Sequence, residues 1–164
     1  MSLIKLRLFA QKDGFLISKW IADQSYQNFF RTNSLIPTEA DCYNYPQWCQ
    51  NLVMMIDYDG ETVGMVNAYA PDYKNQIIKS GLIIDKSFRR KRIGYLAYLD
   101  WVHYLFNTYN FRKVIALIVD DKLVEPLENM GFLVEGTFVK ECFVDGQYCD
   151  EIRLAAFKDS LKRV

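Results

Sequence analysis

The stretch Gly81–Gly94, GLIIDKSFRRKRIG, leaves this chain few ways to fold. Leu82-Ile83-Ile84 is an apolar run of strand length. Asp85-Lys86-Ser87 turns the chain, and Arg89-Arg90-Lys91-Arg92 forms an unbroken basic run ahead of Ile93 and Gly94. Beyond it Leu96, Leu99, Val102 and Phe106 recur at helical spacing, which predicts a helix to about Asn107 with these residues on one face. A strand, a basic loop and a helix start make an anion site. The first helical N–H groups lack intrahelical acceptors, and the helix dipole adds partial positive charge. A diphosphate suits such a place, and Gly94 lets backbone approach a ligand closely. The same residues also suit a plain strand–helix connection with a solvated basic turn, so the loop alone does not assign a ligand.

The flanking sequence supplies the other elements. Residues 3–9, LIKLRLF, set Leu3, Lys5 and Arg7 against Ile4, Leu6 and Leu8, the period of a half-buried strand. Asp13–Ala22 reads as a helix with Leu16, Ile17, Trp20 and Ile21 on one face, and Gln24–Thr32 as a second short helix carrying Tyr26, Phe29 and Phe30. Residues 33–48, with Pro37 and Pro46, read as loop with at most a helical turn. Asn51–Tyr58 and Glu61–Ala70 flank Asp59-Gly60, a hairpin signal, and Gly64 marks a bulge or a close approach. Asn75–Ile84 feeds the basic loop. Arg112–Val119 is apolar enough for a strand covered on both faces. A helix falls within Asp120–Met130, beginning near Glu125 so that Pro126 lies in its first turn. Phe132–Cys142 and Gln147–Phe157 flank a second turn, Asp145-Gly146. Strand, two helices, three strands, helix, strand, helix, two strands is the order of a three-layer α/β or α+β domain, with helices on both faces of a mixed sheet.

At 164 residues, 51% hydrophobic, the chain has the length and composition of one folded domain, residues 1–164, without linker or repeat. Twenty basic against twenty acidic residues argue against a nucleic-acid partner. The absence of a span-length apolar run or a signal-like start predicts a cytoplasmic protein with no membrane partner. Cys42, Cys49, Cys142 and Cys149 lack CxxC spacing and read as reduced thiols; with a single histidine, no metal site is expected. His103 follows Asp100 by three residues on a helix, the spacing of a surface hydrogen bond.

Arg89-Arg90-Lys91-Arg92-Ile93-Gly94 resembles the acetyl-CoA loop of the GNAT superfamily of N-acetyltransferases, Gln/Arg-x-x-Gly-x-Gly/Ala, with Arg92 in place of the first glycine. ETVGMVNAY resembles the family's hairpin strand, and MGFLVEG its "lGF-x-x-EG". Asp145-Gly146 to Asp150 and the opening Leu6-Arg7-Leu8 resemble the branch acting on ribosomal-protein N-termini, spermidine and amino sugars. The resemblance implies a GNAT-like fold around a mixed, mostly antiparallel sheet of about seven strands. It implies acetyl-CoA as cosubstrate, with pantetheine along Leu82, Ile83 and Ile84. The pyrophosphate would sit on Arg89, Arg90, Lys91, Arg92, Ile93 and Gly94, with Tyr95 nearby. The strand ending at Val119 would splay away to leave a slot for the thioester.

The expected activity is acetyl transfer to a primary amine by direct attack in a ternary complex. A protein N-terminus is favoured over a polyamine or an amino sugar, in a monomer or homodimer. A proton must leave an alkylammonium of pKa ~10 before it attacks. The family's usual proton-handling positions fall on Asp120 (for Asn), Leu123 (for Ser/Ala), Leu127 (for Tyr) and Lys79 (for an acid). Asp120 and Tyr148 are the candidate catalytic residues, with Cys142 and Glu141 behind them. Tyr26, Phe29, Phe30, Tyr43, Tyr45 and Trp48 either line an acceptor pocket or pack a core. The alternative to an enzyme is a non-catalytic GNAT-like module that binds CoA or a protein.

Overall fold

A computed structural model describes residues 4–26, 29 and 37–162. Its strands are β1 (Ile4–Leu8), β2 (Leu52–Tyr58), β3 (Glu61–Asp72), β4 (Ile77–Ile84), β5 (Lys113–Ile118), β6 (Leu133–Val144) and β7 (Gln147–Phe157). Its helices are α1 (Gly14–Ala22), α2 (Glu39–Tyr43), α3 (Tyr45–Cys49), α4 (Ile93–Thr108) and α5 (Val124–Met130). The strands form one seven-stranded sheet, β1-β2-β3-β4-β5-β7-β6. β4 and β5 pair in parallel across the α4 crossover, and every other neighbouring pair is antiparallel. The expected mixed α/β architecture is therefore present.

Alternation along the strands divides the apolar residues between two cores. Val66, Ala68, Ile78, Val114, Ala116 and Leu154 face α4 and α5, which bury Ile93, Trp101, Val102, Leu105, Phe106 and Leu127 against them. Val53, Met55, Met65 and Ile83 face the other way, under Ile17 and Trp20 of α1 with Tyr26, Cys42 and Tyr45. Both glycine turns reverse the chain with two consecutive positive φ angles: Asp59 50° and Gly60 85°, Asp145 48° and Gly146 79°. Those are the values a two-residue hairpin needs to match strand twist. The register slips between Ile56 and Asp57 opposite Gly64, where an added Cβ would lie 2.3 Å from the Ile83 carbonyl oxygen, so bulge and close approach coincide.

Several expectations shift. Leu8, at the end of β1, is 74% exposed, whereas Arg7 is drawn inward. Arg7 Nε donates to Asp57 at 2.8 Å, and its terminal nitrogens donate to both Asp13 oxygens at 2.7 and 2.8 Å. The pairing fixes the start of α1 on the sheet. Leu96 is 39% exposed; Leu99, Val102 and Phe106 carry the buried face with Trp101 and Leu105. Residues 33–48, read as loop, contain α2 and the start of α3. A capping box at Thr38 and Asp41 starts α2, and Pro46 stands in the first turn of α3, where a missing N–H costs nothing. Of the helix expected over Gln24–Thr32, Gln24–Tyr26 form a single 3-10 turn; residues 27, 28 and 30–32 lie outside the described residues. Pro126 does lie in the first turn of α5. His103 Nε2–H donates to the Lys162 carbonyl at 2.8 Å rather than to Asp100, and so ties down the C-terminal segment.

Candidate active site

The site is built where β4 and β5 part. Their parallel pairing runs from Ile77–Lys113 to Ser80–Ala116 and stops. β4 continues through Gly81–Ile84 bonded only to β3, and β5 continues to Ile118 bonded only to β7. The two inner edges thus separate into a slot with the β4 backbone on one side. Trp101 and Tyr98 of α4 close its base: the Trp101 indole N–H donates to Ser80 Oγ at 3.0 Å, and the Tyr98 hydroxyl to the Ser80 carbonyl at 3.4 Å.

β4 leads directly into the basic loop. Asp85, 6% exposed, accepts from the Trp20 indole at 3.0 Å and the Lys19 ammonium at 3.1 Å on one oxygen, and from the Ser87 N–H at 3.1 Å on the other. Burial pushes this carboxyl up, but those donors outweigh it and hold the group well below the ordinary carboxylate range. The Lys86 N–H donates to the Tyr26 hydroxyl at 2.7 Å, and the Lys86 ammonium pairs with Asp23 at 2.8 Å. α1 and the segment after it are thereby bolted to the loop.

Arg89, Arg90, Lys91 and Arg92 are all exposed. Arg89 donates from Nε to the Ile84 carbonyl at 3.1 Å and stacks 4.8 Å over the Tyr26 ring. Lys91 lies over Phe88 and Arg92 over Tyr95. Arg90 and Arg92 take φ of 66° and 61°. Arg92 is the residue before α4 and occupies the left-handed conformation in which a glycine is at ease, at a strain of about 1–2 kcal/mol for a side-chain-bearing residue. Among the described residues no side chain caps α4, and its first intrahelical bond is Leu96 N–H to the Arg92 carbonyl at 3.1 Å. The N–H groups of Ile93, Gly94 and Tyr95 have no intrahelical acceptor, an arrangement that favours an anion. The close approach at Gly94 is to β4: an added Cβ would meet Ile84 at 3.1 Å and Leu82 at 3.2 Å, so the helix start sits down on the strand that borders the slot. Beside the loop, Arg92, Tyr95, Glu125, Pro126 and Asn129 line a groove of about 530 Å³, bridged by the Tyr95 hydroxyl donating to the Asn129 carbonyl at 3.1 Å. A comparable groove at Gln76, Phe111, Arg112 and Phe157 lies at the start of β4 and β5, away from the slot.

The structure brings Leu82, Ile83, Ile84 and the residues Arg89 to Tyr95 together around the slot. The two catalytic candidates are less well placed. Asp120, after β5, is exposed and accepts from the Lys122 N–H at 3.1 Å as a turn cap. Tyr148 is 69% exposed and packs on Phe143. It lies four residues beyond Ile152, the partner of Ile118 at the end of β5. That separation is roughly 13 Å of strand at about 3.3 Å per residue. Leu127 is buried in the core, Leu123 is 48% exposed, and Glu141 is exposed. Of the aromatics, Tyr26 and Tyr45 are buried in the second core, with Phe29 and Trp48 partly so.

One acidic residue was not singled out from the sequence. Glu151, 5% exposed on β7, sits one residue before Ile152 and accepts from the Cys142 thiol at 3.0 Å. By alternation it shares the α1 face of the sheet, level with the end of β5. On the same face Glu135 joins Lys113 and Arg153, so that β5, β6 and β7 are cross-linked by charge.

The strands part beside a helix N-terminus, under a basic loop. Residues 19–131 match the model of the acetyltransferase (GNAT) family, and the chain belongs to that family. It is similar to the spermidine N(1)-acetyltransferase of Escherichia coli strain K12, 29% identical over 107 residues that cover 63% of this chain and 57% of that protein. The match thus takes in less than two thirds of that relative's length. Among solved structures, a spermidine N-acetyltransferase from Vibrio cholerae in complex with CoA and spermine superposes with a TM-score of 0.85 at 18% identity, covering 96% of each chain. A probable acetyltransferase superposes at 0.81 and 22% identity, covering 96% of this chain and 94% of its own. At such identities the structural likeness is one of fold. No helix among the described residues is long and apolar enough to cross a membrane.

Proposed function

We propose that residues 4–162 act as one acetyl-CoA-dependent N-acetyltransferase domain whose acceptor is a polyamine. The observation that carries this reading is the continuity of the slot with the anion site: the unpaired β4 edge at Gly81–Ile84 runs into the loop whose helix offers the N–H groups of Ile93–Tyr95. The residues present fit the cosubstrate. Leu82, Ile83 and Ile84 offer backbone to an amide-bearing arm, and Arg89, Arg90, Lys91 and Arg92 with Ile93, Gly94 and Tyr95 offer charge and N–H groups to the diphosphate. Bound there, acetyl-CoA supplies an acyl thioester in the slot.

The chain's contribution is chiefly placement. Holding an amine against an acyl carbon is worth up to ~7–11 kcal/mol of barrier when the geometry is right. Glu151, a buried carboxylate on the α1 face beside the end of β5, draws a cationic acceptor to that side. The kinship with spermidine acetyltransferases supports a polyamine over the protein N-terminus favoured by sequence motifs. A second reading, a CoA-binding module without turnover, is favoured by Leu127, whose apolar side chain stands where the family's proton donor is expected.

Calorimetry with acetyl-CoA at two salt concentrations, followed by mass spectrometry of spermidine, spermine, putrescine and an N-terminal peptide, separates the readings. Saturable binding with acetylated polyamine is expected. Binding without any acetylated amine leaves the module; no binding at millimolar acetyl-CoA removes both.

A further inference from the structure

Among the described residues, Asn67 carries a buried side-chain oxygen with no hydrogen-bond partner, one strand away from the point where β4 and β5 part. It lies on β3 directly opposite Gly81 of β4. Gly81 is the first β4 residue past Ser80, where pairing with β5 ends. Asn67 is 5% exposed, and among the described residues its Oδ1 has no hydrogen-bond partner. Its backbone carbonyl is in contrast doubly engaged, by Ser80 Oγ at 2.9 Å and the Trp101 indole at 3.3 Å. The Oδ1 hangs over Gly81, 2.8 Å from where a Cβ would stand, with the Phe29 ring edge 3.0 Å from the same point. A side chain at position 81 would collide with both; glycine lets the Asn67 amide lie close over β4. A buried amide oxygen without a donor is costly, and in native proteins it commonly meets a ligand or an ordered water.

We infer that Asn67 Oδ1 accepts a hydrogen bond from the N–H of the acceptor amine and so aims its lone pair into the slot. The inference rests on the amine-acetyltransferase reading above and names the group that holds the nucleophile. An amine donating one N–H to Asn67 sits on the α1 face beside Gly81, with the thioester against the adjoining β4 edge. The amide carries no charge, so it holds the amine while favouring the ammonium over the neutral, attacking form less than a carboxylate in its place would.

The test compares wild type with Asn67→Leu, which keeps the shape and removes the acceptor, and Asn67→Asp, which keeps an acceptor oxygen. With spermidine varied at saturating acetyl-CoA, Asn67→Leu should raise the spermidine KM about ten-fold, the loss of one substrate hydrogen bond. The acetyl-CoA KM should stay put and the melting temperature should not fall; Asn67→Asp should restore the spermidine KM to within about three-fold. In the wild-type protein with CoA bound, the Asn67 side-chain amide signal, assigned by its loss in Asn67→Asp, should move on addition of spermidine. Should Asn67→Leu prove unable to fold, this spectrum decides alone, and an unmoved signal overturns the assignment. Wild-type turnover with an unchanged KM in Asn67→Leu also overturns it, and means that Oδ1 holds only water. Wild type that acetylates no polyamine overturns the reading beneath it, a different failure visible before any variant is made.

Discussion

Replacing Asp85 by Asn tests the link between α1 and the anion loop. The two Asp85 oxygens face donors only: Trp20 and Lys19 on one, the Ser87 N–H on the other. Asparagine has one acceptor oxygen and one NH2. Whichever way it is turned, its NH2 confronts either the Ser87 N–H or the Trp20 and Lys19 donors. The Lys19 side chain is 53% exposed, so its pair contributes little after solvent screening, about 0–1 kcal/mol. The Trp20 and Ser87 bonds run to a buried charge and are each worth about 1.5–3 kcal/mol. Removing the charge returns part of the desolvation cost. The balance is a destabilisation of roughly 2–4 kcal/mol, or about 4–16 °C in melting temperature for a domain of this size. Urea unfolding followed by tryptophan fluorescence measures it, since Trp20 is fully buried. Calorimetry should show weaker acetyl-CoA binding in the folded variant, because Asp85 caps the turn at Lys86–Phe88 that leads into the loop. A variant within 0.5 kcal/mol of wild type would refute the reasoning, and would mean that the Asp85 charge is not compensated by its donors.

Asp13 and Asp85 both have folded-state affinities for protons below the ordinary carboxylate value, so their stabilisation is complete above about pH 4 and is lost as pH falls below it; thermal melts from pH 5 to pH 2 should show the decline, shallower in Asp85→Asn. Gly131→Ala should cost about 3–5 kcal/mol, because φ there is 107° and the new Cβ would lie 2.0 Å from the Ser160 carbonyl oxygen; chemical denaturation should find the loss. Arg92→Gly relieves left-handed strain but removes a cation from the loop, so unfolding free energy should change by less than about 1 kcal/mol while acetyl-CoA affinity falls a few-fold and its salt dependence flattens.

Strands were the legible part of this fold because their signals are local. Alternation or a continuous apolar run marks each one, and Asp-Gly marks both tight hairpins. α4 was legible in extent but not in facing, since Leu96 fits the apolar period yet falls on its edge, where the sheet no longer covers it. α2 and α3 were hidden by their brevity and by Pro46, although Thr38 followed by Asp41 was a usable cap signal. The anion loop was legible as a motif. Its strained Arg92 was not, because a positive φ is readable only when glycine occupies it. Proton-handling residues were the least legible. Tyr148 attracted notice by type and lies far along the hairpin, whereas Glu151 and Asn67 gain meaning only from what stands beside them across the sheet. A lone Asn within VGMVNAYA was the one available hint.

The short β4–β5 seam also bears on how the molecule is assembled. β1 to β4 form one sheet half, all three of its pairings being between successive strands, and β5, β7 and β6 form the other. Among the described residues, four facing residue pairs, Ile77–Ser80 against Lys113–Ala116, join the halves, with the Arg112 and Lys113 N–H groups donating to the Gln76 carbonyl just ahead of them. That seam is reached through the α4 crossover, because a parallel pair cannot be made by a hairpin. Trp101, which reaches Ser80 and Asn67 from α4, therefore stands at the point where the two halves meet. A folding nucleus centred on Trp101 would set the width of the slot at the moment the sheet becomes whole, so that substitutions which loosen this joint would disturb the site from behind without touching any group that meets a ligand.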